Sequence, residues 1–463
     1  MKFTRITNKL DKLNEFDREP VPQHKLQGIG NFLGIYGGEH IAATGFVTGI
    51  LWIAHGVSVK ELFIGAFIGD LLAVLSWTLI TAPIAVKARL SIYWQLRKIC
   101  GPVLVFIYNV VNALMFCILA GAMIAVSATA VGIPFNIDMP GLNDLYPHSI
   151  GWVVTVFFVG AGITTIAILG FKSLGNFGKV VVPWLFLVFI AAAVSCFSEV
   201  GIEPGMKNFW EVANNTIWTG VAKEGRLQFN IWHVILFTWM VNAAMHLGMS
   251  DLTILRYARK WYYGLASALG MYGGHYIVWI ASGIVYSAAT SDAPGMVAYQ
   301  AIGITGAICV IVAGWSTANP TLYRAGLALQ VVSPNWQRWK VTLIAGLIAT
   351  FAAMFPALVM RLLDFVALYG LILIPMGGII FADFYLNEKL GMQKYFAEKH
   401  GISFNTAAGI TWLILLISAL IANQVIGVNL FFLPAPTWFA AILLYLIFSL
   451  IYQKRITKNL RTI

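Results

Sequence analysis

Glu39 and His40 follow Gly37 and Gly38 in the middle of an apolar run, 27–54, that is long enough to cross a bilayer. A carboxylate at mid-depth costs at least about 2.5–3.5 kcal/mol unless it faces protein, ligand or water. Each glycine in a helix interior adds about 1 kcal/mol relative to alanine. Two such costs at one place predict a helix broken at the glycine pair, because irregular backbone survives at membrane depth only where its freed polar groups find partners. A second apolar run, 229–251, carries Trp239, Asn242 and His246 on one helical stripe, followed by Gly248, Ser250 and Asp251. A third offers Trp315 and Asn319. These residue types can stack a planar ring on tryptophan and hydrogen-bond its edge through amide and carboxylate. Gly38, Glu39, His40, Trp239, Asn242, His246, Trp315 and Asn319 are therefore the candidate substrate-binding residues, with no catalytic residue among them. The structural alternative is a kinked packing helix whose Glu39 bonds a neighbour. Asp70 and His275 are further ionisable residues within apolar runs; the expected role of Asp70 is structural pairing with His275, with proton movement as the alternative. Asn109 and Asn112 are weaker candidates, since polar residues often join helices.

The elements that position these residues are membrane helices. The chain has 463 residues, 59% hydrophobic and only 11% charged, against about 25% charged in soluble domains. Twelve spans are predicted, near 27–54, 60–86, 100–131, 150–170, 178–198, 229–251, 262–289, 296–318, 341–360, 362–386, 404–428 and 434–452. The first 26 residues are mixed-charge without an apolar core or cleavage site, so no signal peptide is expected. The net charge of +11 is distributed as a topology signal: with the N-terminus inside, 25 of the 30 Lys and Arg fall on the inner side and only Lys60, Lys207, Lys223, Arg226 and Arg361 outside. Both termini are expected in the cytoplasm, in a multi-pass protein of a bacterial inner membrane. The lipid bilayer and a small-molecule substrate are the expected partners, with no nucleic acid and a monomeric or weakly oligomeric state. Cys100, Cys117, Cys196 and Cys309 lack metal or redox spacing and read as packing residues.

The two interrupted spans, 1 and 6, are five apart, and an odd offset reverses orientation. This predicts a five-plus-five inverted repeat, with interrupted helices at corresponding places marking the binding site. The expected organisation is an N-terminal segment 1–26, a first repeat 27–198, an inverted repeat 229–386, two peripheral helices 404–452 and a tail 453–463. The outer connection near 199–228 is expected to hold a short amphipathic segment around Phe209 to Trp218, and 387–403 a solvated link.

Trp315-Ser316-Thr317-Ala318-Asn319-Pro320-Thr321-Leu322-Tyr323-Arg324, together with Gly370 through Gly378 and Ile379 through Leu386, resembles signatures of the nucleobase:cation symporter-1 family, and Ala82 to Ser91 is a weaker match. The resemblance implies an all-α, twelve-helix LeuT-like fold with broken helices 1 and 6, and import of purines, pyrimidines, hydantoins or related N-heterocycles. It also implies coupling to sodium or protons, with no other cofactor. The family's sodium site corresponds to the Ser316 and Thr317 hydroxyls and the Ala313 carbonyl; Gly34 and Gly37 are the expected first-helix carbonyls. Oxygen ligands suit so hard a cation. Hydroxyls bonding back to their own helix are the structural alternative. The chain departs from the family where Ala318 and Pro320 replace polar residues, where Met115 or Phe116 stands in place of a tryptophan, and where the span 6 Asp-to-Arg motif is stretched to Asp251…Arg256-Tyr257.

A membrane enzyme would need a constellation such as His-Glu-x-x-His or Gly-x-Ser-x-Gly, which the chain lacks. A channel would show a filter loop rather than polar residues gathered at two helix breaks. The sequence reads as a cation-coupled secondary transporter of a nucleobase-like heterocycle, not an enzyme. Sodium coupling is favoured; protons through Glu39, His40 and His246 are the alternative. A carrier of a small cationic amine, with Glu39 as counter-charge, is the second reading.

Overall fold

The computed structural model describes residues 15–460 apart from 136, 141–143, 292, 334 and 361. Arg361 and most of the N-terminal segment expected over 1–26 lie outside the described residues, as do 461–463 of the tail.

Among the described residues, eight helices are long and apolar enough to cross a membrane: Val59–Ala88, Pro102–Gly132, Ile150–Ile168, Phe171–Ser195, Trp261–Ala288, Phe365–Tyr385, Thr406–Gln424 and Pro434–Thr457. These are spans 2, 3, 4, 5, 7, 10, 11 and 12. The other four crossings fail that test because each is broken, short or polar. Span 1 is two helices, Ile29–His40 and Thr44–Ala54. Span 6 is Ile231–Met240, a turn-rich stretch and the single turn Leu252–Leu255. Span 8 is Ile304–Val332 and span 9 is Arg338–Ala353. The twelve-helix, five-plus-five architecture with broken first and sixth helices is thus present, and Glu39, Asn242, Asp251 and Arg324 sit on crossings outside the apolar eight.

Three boundaries differ from expectation for physical reasons. Span 1 does not break at Gly37-Gly38; the helix runs on to His40 and opens over 41–43. The glycines serve close packing instead: a methyl group on Gly37 would lie 2.8 Å from Val182 Cγ1 of span 5, and one on Gly34 2.8 Å from the Lys179 backbone nitrogen. Span 8 was expected over 296–318. A separate helix, Pro294–Ile302, instead ends at Gly303, whose φ of 64° turns the chain, and the crossing helix extends to Val332. Arg324, counted as a loop charge from sequence, therefore lies in a helix interior and is fully buried. Span 5 begins at Phe171 rather than near 178.

The connection over 199–228 forms the expected short helical segment, Phe209–Val212 continued by a π turn Ala213–Ile217. The segment 387–403 is less solvated than expected: Asp383 accepts from the Asn387 side-chain amide at 3.0 Å, and Gln453 bonds both the backbone nitrogen and the carbonyl of Gln393. The four cysteines are free and buried, as read from sequence.

Two spans depart locally from α geometry. Ser76–Thr81 in span 2 and Leu269–Val278 in span 7 are π-helical. Such segments carry an extra residue per turn and often accompany functional sites. The first presents Trp77 and the second His275 toward the broken helices.

Candidate substrate and cation sites

The opened end of span 1 and the turn-rich middle of span 6 meet at a cavity. Its walls include Glu39, His40, Thr44 and Thr48 from span 1, Asn242 and Met245 from span 6, His275 and Trp279 from span 7, Thr317 and Thr321 from span 8 and Tyr369 from span 10. About 90 Å³ of it is open to water, several times the ~10–15 Å³ that one water needs.

Of the residues predicted to bind substrate, Glu39, His40 and Asn242 line this cavity. The others are placed elsewhere. The Trp239 indole donates to Ser76 Oγ at 3.0 Å. His246 Nε2 donates to the Trp239 carbonyl at 2.9 Å, and its ring stands edge-on to Trp77. Trp315 turns away toward span 4, with ring carbons 3.0 Å from where a methyl on Gly162 would sit. Gly38 and Asn319 border a different, smaller hollow. The aromatic faces at the cavity are Trp279 and Tyr369, which the sequence reading missed. Phe116 of span 3 supports Tyr369 edge-on at 5.0 Å. Asn109 and Asn112 are fully buried and do not line the cavity.

Glu39 is not a free carboxylate. Arg324 Nη1 donates to Glu39 Oε1 at 2.6 Å and Nη2 to Oε2 at 3.1 Å, a bidentate pair. The same Nη2 donates to Asp251 Oδ1, and Trp77 Nε1 donates to Asp251 Oδ2 at 2.6 Å. One guanidinium thus ties spans 1 and 6 to span 8, with an indole of span 2 completing the cluster. Planar, multidentate donation is the geometry that arginine supplies and lysine does not.

The smaller hollow lies between spans 1, 5 and 8 and is lined by Gly34, Ile35, Gly38, Gly178, Ser316 and Asn319, among others. Its water-accessible volume is about 10 Å³, the scale of a single water-sized occupant. Ser316 Oγ and Thr317 Oγ1 both donate to the Ala313 carbonyl, at 2.9 and 3.0 Å, and Thr317 Oγ1 also lies 3.2 Å from the Glu39 carbonyl. Of the two expected first-helix carbonyls, that of Gly37 accepts from Ile41 N at 2.9 Å and that of Gly34 packs against Gly178. Both hydroxyls thus bond back to the Ala313 carbonyl of their own helix, which is the structural alternative, and Gly37 is likewise occupied by its own helix; of Ala313, Ser316 and Thr317, only Ser316 lines the hollow. Among the described residues no three His, Cys, Asp or Glu side chains converge as a set for a metal ion.

At the end of the bundle where the N-terminal segment lies, Arg256 is fully buried. It donates to the carbonyls of Phe16 and Glu15, each at 2.6 Å, and to Tyr323 Oη at 3.3 Å. Tyr257 and Tyr323 donate to Glu15 Oε2 at 2.8 and 2.7 Å. This latch fastens the N-terminal segment across spans 6 and 8.

Comparison with solved structures gives the architecture a precedent. The chain superposes on Mhp1, a nucleobase-cation-symport-1 family transporter closed with bromovinylhydantoin bound, with a TM-score of 0.74 at 14% identity over 96% of each chain. The fold is that of the LeuT-like transporters. It also matches a Na+-coupled sialic acid symporter in a substrate-bound outward-open state, with a TM-score of 0.66 at 15% identity over 97% of this chain and 96% of that one. A manganese transporter of Eremococcus coleocola is more distant, at 0.55 and 14% identity over 94% of this chain and 97% of that one. No protein-family model matches the sequence. No curated protein matches it either.

Proposed function

We propose that the chain is a cation-coupled secondary transporter that imports a nucleobase or related small nitrogen heterocycle by alternating access, with sodium as the favoured coupling ion. The observation that carries this reading is the cavity at the two helix breaks, walled by Asn242, His40, His275, Trp279 and Tyr369. A planar heterocycle needs aromatic faces and in-plane donors and acceptors, and this wall supplies both. His40 Nε2 is without a protein partner there. Both Glu39 oxygens are engaged by Arg324, so the carboxylate is not free to pair directly with an amine, although the Glu39–Arg324–Asp251 cluster as a whole keeps one net negative charge and the cationic-amine reading stays second. Among the described residues, the lack of a converging His, Cys, Asp and Glu set gives no support to a transition-metal cargo.

The test is thermal stabilisation of purified protein by cytosine, guanine, hypoxanthine, uracil, allantoin, hydroxymethylpyrimidine and small amines, with and without sodium. Stabilisation by one or more heterocycles, strengthened by sodium, is expected. Stabilisation by a non-aromatic amine alone would overturn the reading. Stacking contributes about 1–3 kcal/mol to any base, so selectivity within the panel should follow the edge contacts and change in Asn242→Ala.

For sodium, Ser316→Ala and Thr317→Ala each remove one oxygen. Each should weaken the apparent sodium affinity read from cargo binding by roughly tenfold or more, about 1.4 kcal/mol, and Ser316→Ala, at a residue that does not line the cargo cavity, should leave binding at saturating sodium near wild type. Cargo binding that ignores sodium in the wild type would reject the assignment.

A further inference from the structure

Asp70 is fully buried in span 2, and neither of its carboxylate oxygens has a hydrogen-bond partner. Facing it is His275 of the π segment in span 7, with Nδ1 at 3.6 Å from Oδ1. A pair built only to hold helices together would close to about 2.7–2.9 Å and recruit further donors, because a buried ion pair offsets its desolvation only with good geometry and satisfied lone pairs. This one stays open. The other ring nitrogen, Nε2, lies 3.2 Å from Asn242 Nδ2. With the amide donating there, the ring is neutral and carries its proton on Nδ1, toward Asp70. Trp279 stacks on the imidazole at 4.3 Å and 12°. Both His275 and Asn242 line the cargo cavity, whereas Asp70 does not.

We propose that Asp70 and His275 form a proton-binding site whose state is displayed to the cargo cavity by Asn242. In the deprotonated state of this site, Asp70 is ionised and His275 neutral, and Asn242 turns its NH2 to the ring and its oxygen away from it. Uptake takes one proton from cavity water and forms an N–H bond at Nε2, so the charge of the pair goes from −1 to 0. The imidazolium can no longer accept from an NH2 group, so the Asn242 amide turns its oxygen to the ring and presents NH2 instead. The cavity wall thereby changes from acceptor to donor at one position. A cargo that binds the donor form brings one proton with it, and loss of that proton restores the acceptor form.

The titratable groups that face this pair are few. Span 1 contributes His40, its ring edge-on to His275 at 5.1 Å, and span 7 itself contributes Tyr272 and Tyr276 near Asp70. Behind His40, Glu39 and Asp251 are held by Arg324, and His246 is bonded to the Trp239 carbonyl. On span 2, Glu61 is engaged at the helix start with Ser58, and on span 5 Lys179 bonds Asn31. The site is separate from the span 8 oxygens and stands whether or not sodium binds there.

The test needs no cargo. Full-length protein with nitrogen-15-labelled histidine is placed in lipid nanodiscs and titrated from about pH 5 to about pH 8, following the His275 ring nitrogens by NMR and Trp279 by fluorescence. A one-proton transition of His275 is expected, with quenching of Trp279 as the stacked ring charges. His275→Gln should abolish both signals. Asp70→Asn, which keeps size but removes the counter-charge, should lose the transition from this window. A His275 that does not titrate in the wild type, or titrates identically in Asp70→Asn, overturns the proposal; comparable unfolding temperatures establish that the variants are folded. A second arm measures cytosine binding across the same range. A change of about tenfold or more in wild type, absent in His275→Gln and Asp70→Asn, supports the link through Asn242, and pH-independent cytosine binding in the wild type overturns that link. Cytosine that binds at no pH overturns the cargo reading instead, and the histidine titration still decides the proton site.

Discussion

Arg324→Gln is expected to destabilise the protein by about 3–5 kcal/mol, because it leaves two buried carboxylates, Glu39 and Asp251, facing one another without their shared cation. Glu39→Gln is expected to cost less, about 1.5–3 kcal/mol, since it removes charge-assisted bonds but leaves Arg324 and Asp251 as a balanced pair. The order follows from charge arithmetic: one guanidinium between two carboxylates can lose either acid and keep a counter-ion, but cannot itself be spared. Thermal unfolding in one fixed lipid and detergent mixture measures both variants. Equal losses, or a larger loss in Glu39→Gln, would show that the cluster does not hold spans 1, 6 and 8 together as described. The double variant adds a check, since removing Glu39 as well should restore part of what Arg324→Gln loses.

Arg256→Gln is expected to release the N-terminal segment from the bundle. Its guanidinium holds two backbone carbonyls, and hydrogen bonds to a charged group contribute about 1.5–3 kcal/mol each. Loss of even one such bond should raise the opening equilibrium by about tenfold or more. Hydrogen exchange over residues 15–27 reads it directly. Tyr323→Phe removes only the hydroxyl that reaches Glu15 and should give a smaller change in the same direction. Unchanged protection in Arg256→Gln would mean that other contacts fasten this segment and that the latch is incidental.

Much of this architecture was legible because its signals are local. Apolar runs of span length and the paired interruptions of spans 1 and 6 belong to continuous stretches. The site was less legible, because its partners meet across hundreds of residues. Gly37-Gly38 looked like the break, yet in this fold glycine allows span 1 to touch span 5, and the opening falls three residues later. Arg324 lowered the local hydropathy and was therefore read as lying outside the membrane; only the fold brings Glu39 and Asp251 to it. Trp239, His246 and Asn242 share a stripe only in an unbroken helix. Since the helix ends at Met240, Asn242 alone reaches the cavity. Trp77 and Trp279 gave no sequence signal beyond their type, although π-helical turns in their spans set their direction.

The four crossings that fail the test of length and apolarity also bear on how such a chain enters its membrane. Span 1 emerges from the ribosome before anything that can satisfy Glu39, and Arg324 follows 285 residues later. At roughly 5–20 residues per second, that delay is on the order of 15–60 s. Throughout it the first helix is a poor guest for lipid and a good one for the aqueous path of an insertion machine. Spans 2 to 5 and 7, long and apolar enough to cross a membrane, can settle first and form a socket. Completion of span 8 then draws the charged helices inward, so the guanidinium that binds the finished site also closes its assembly.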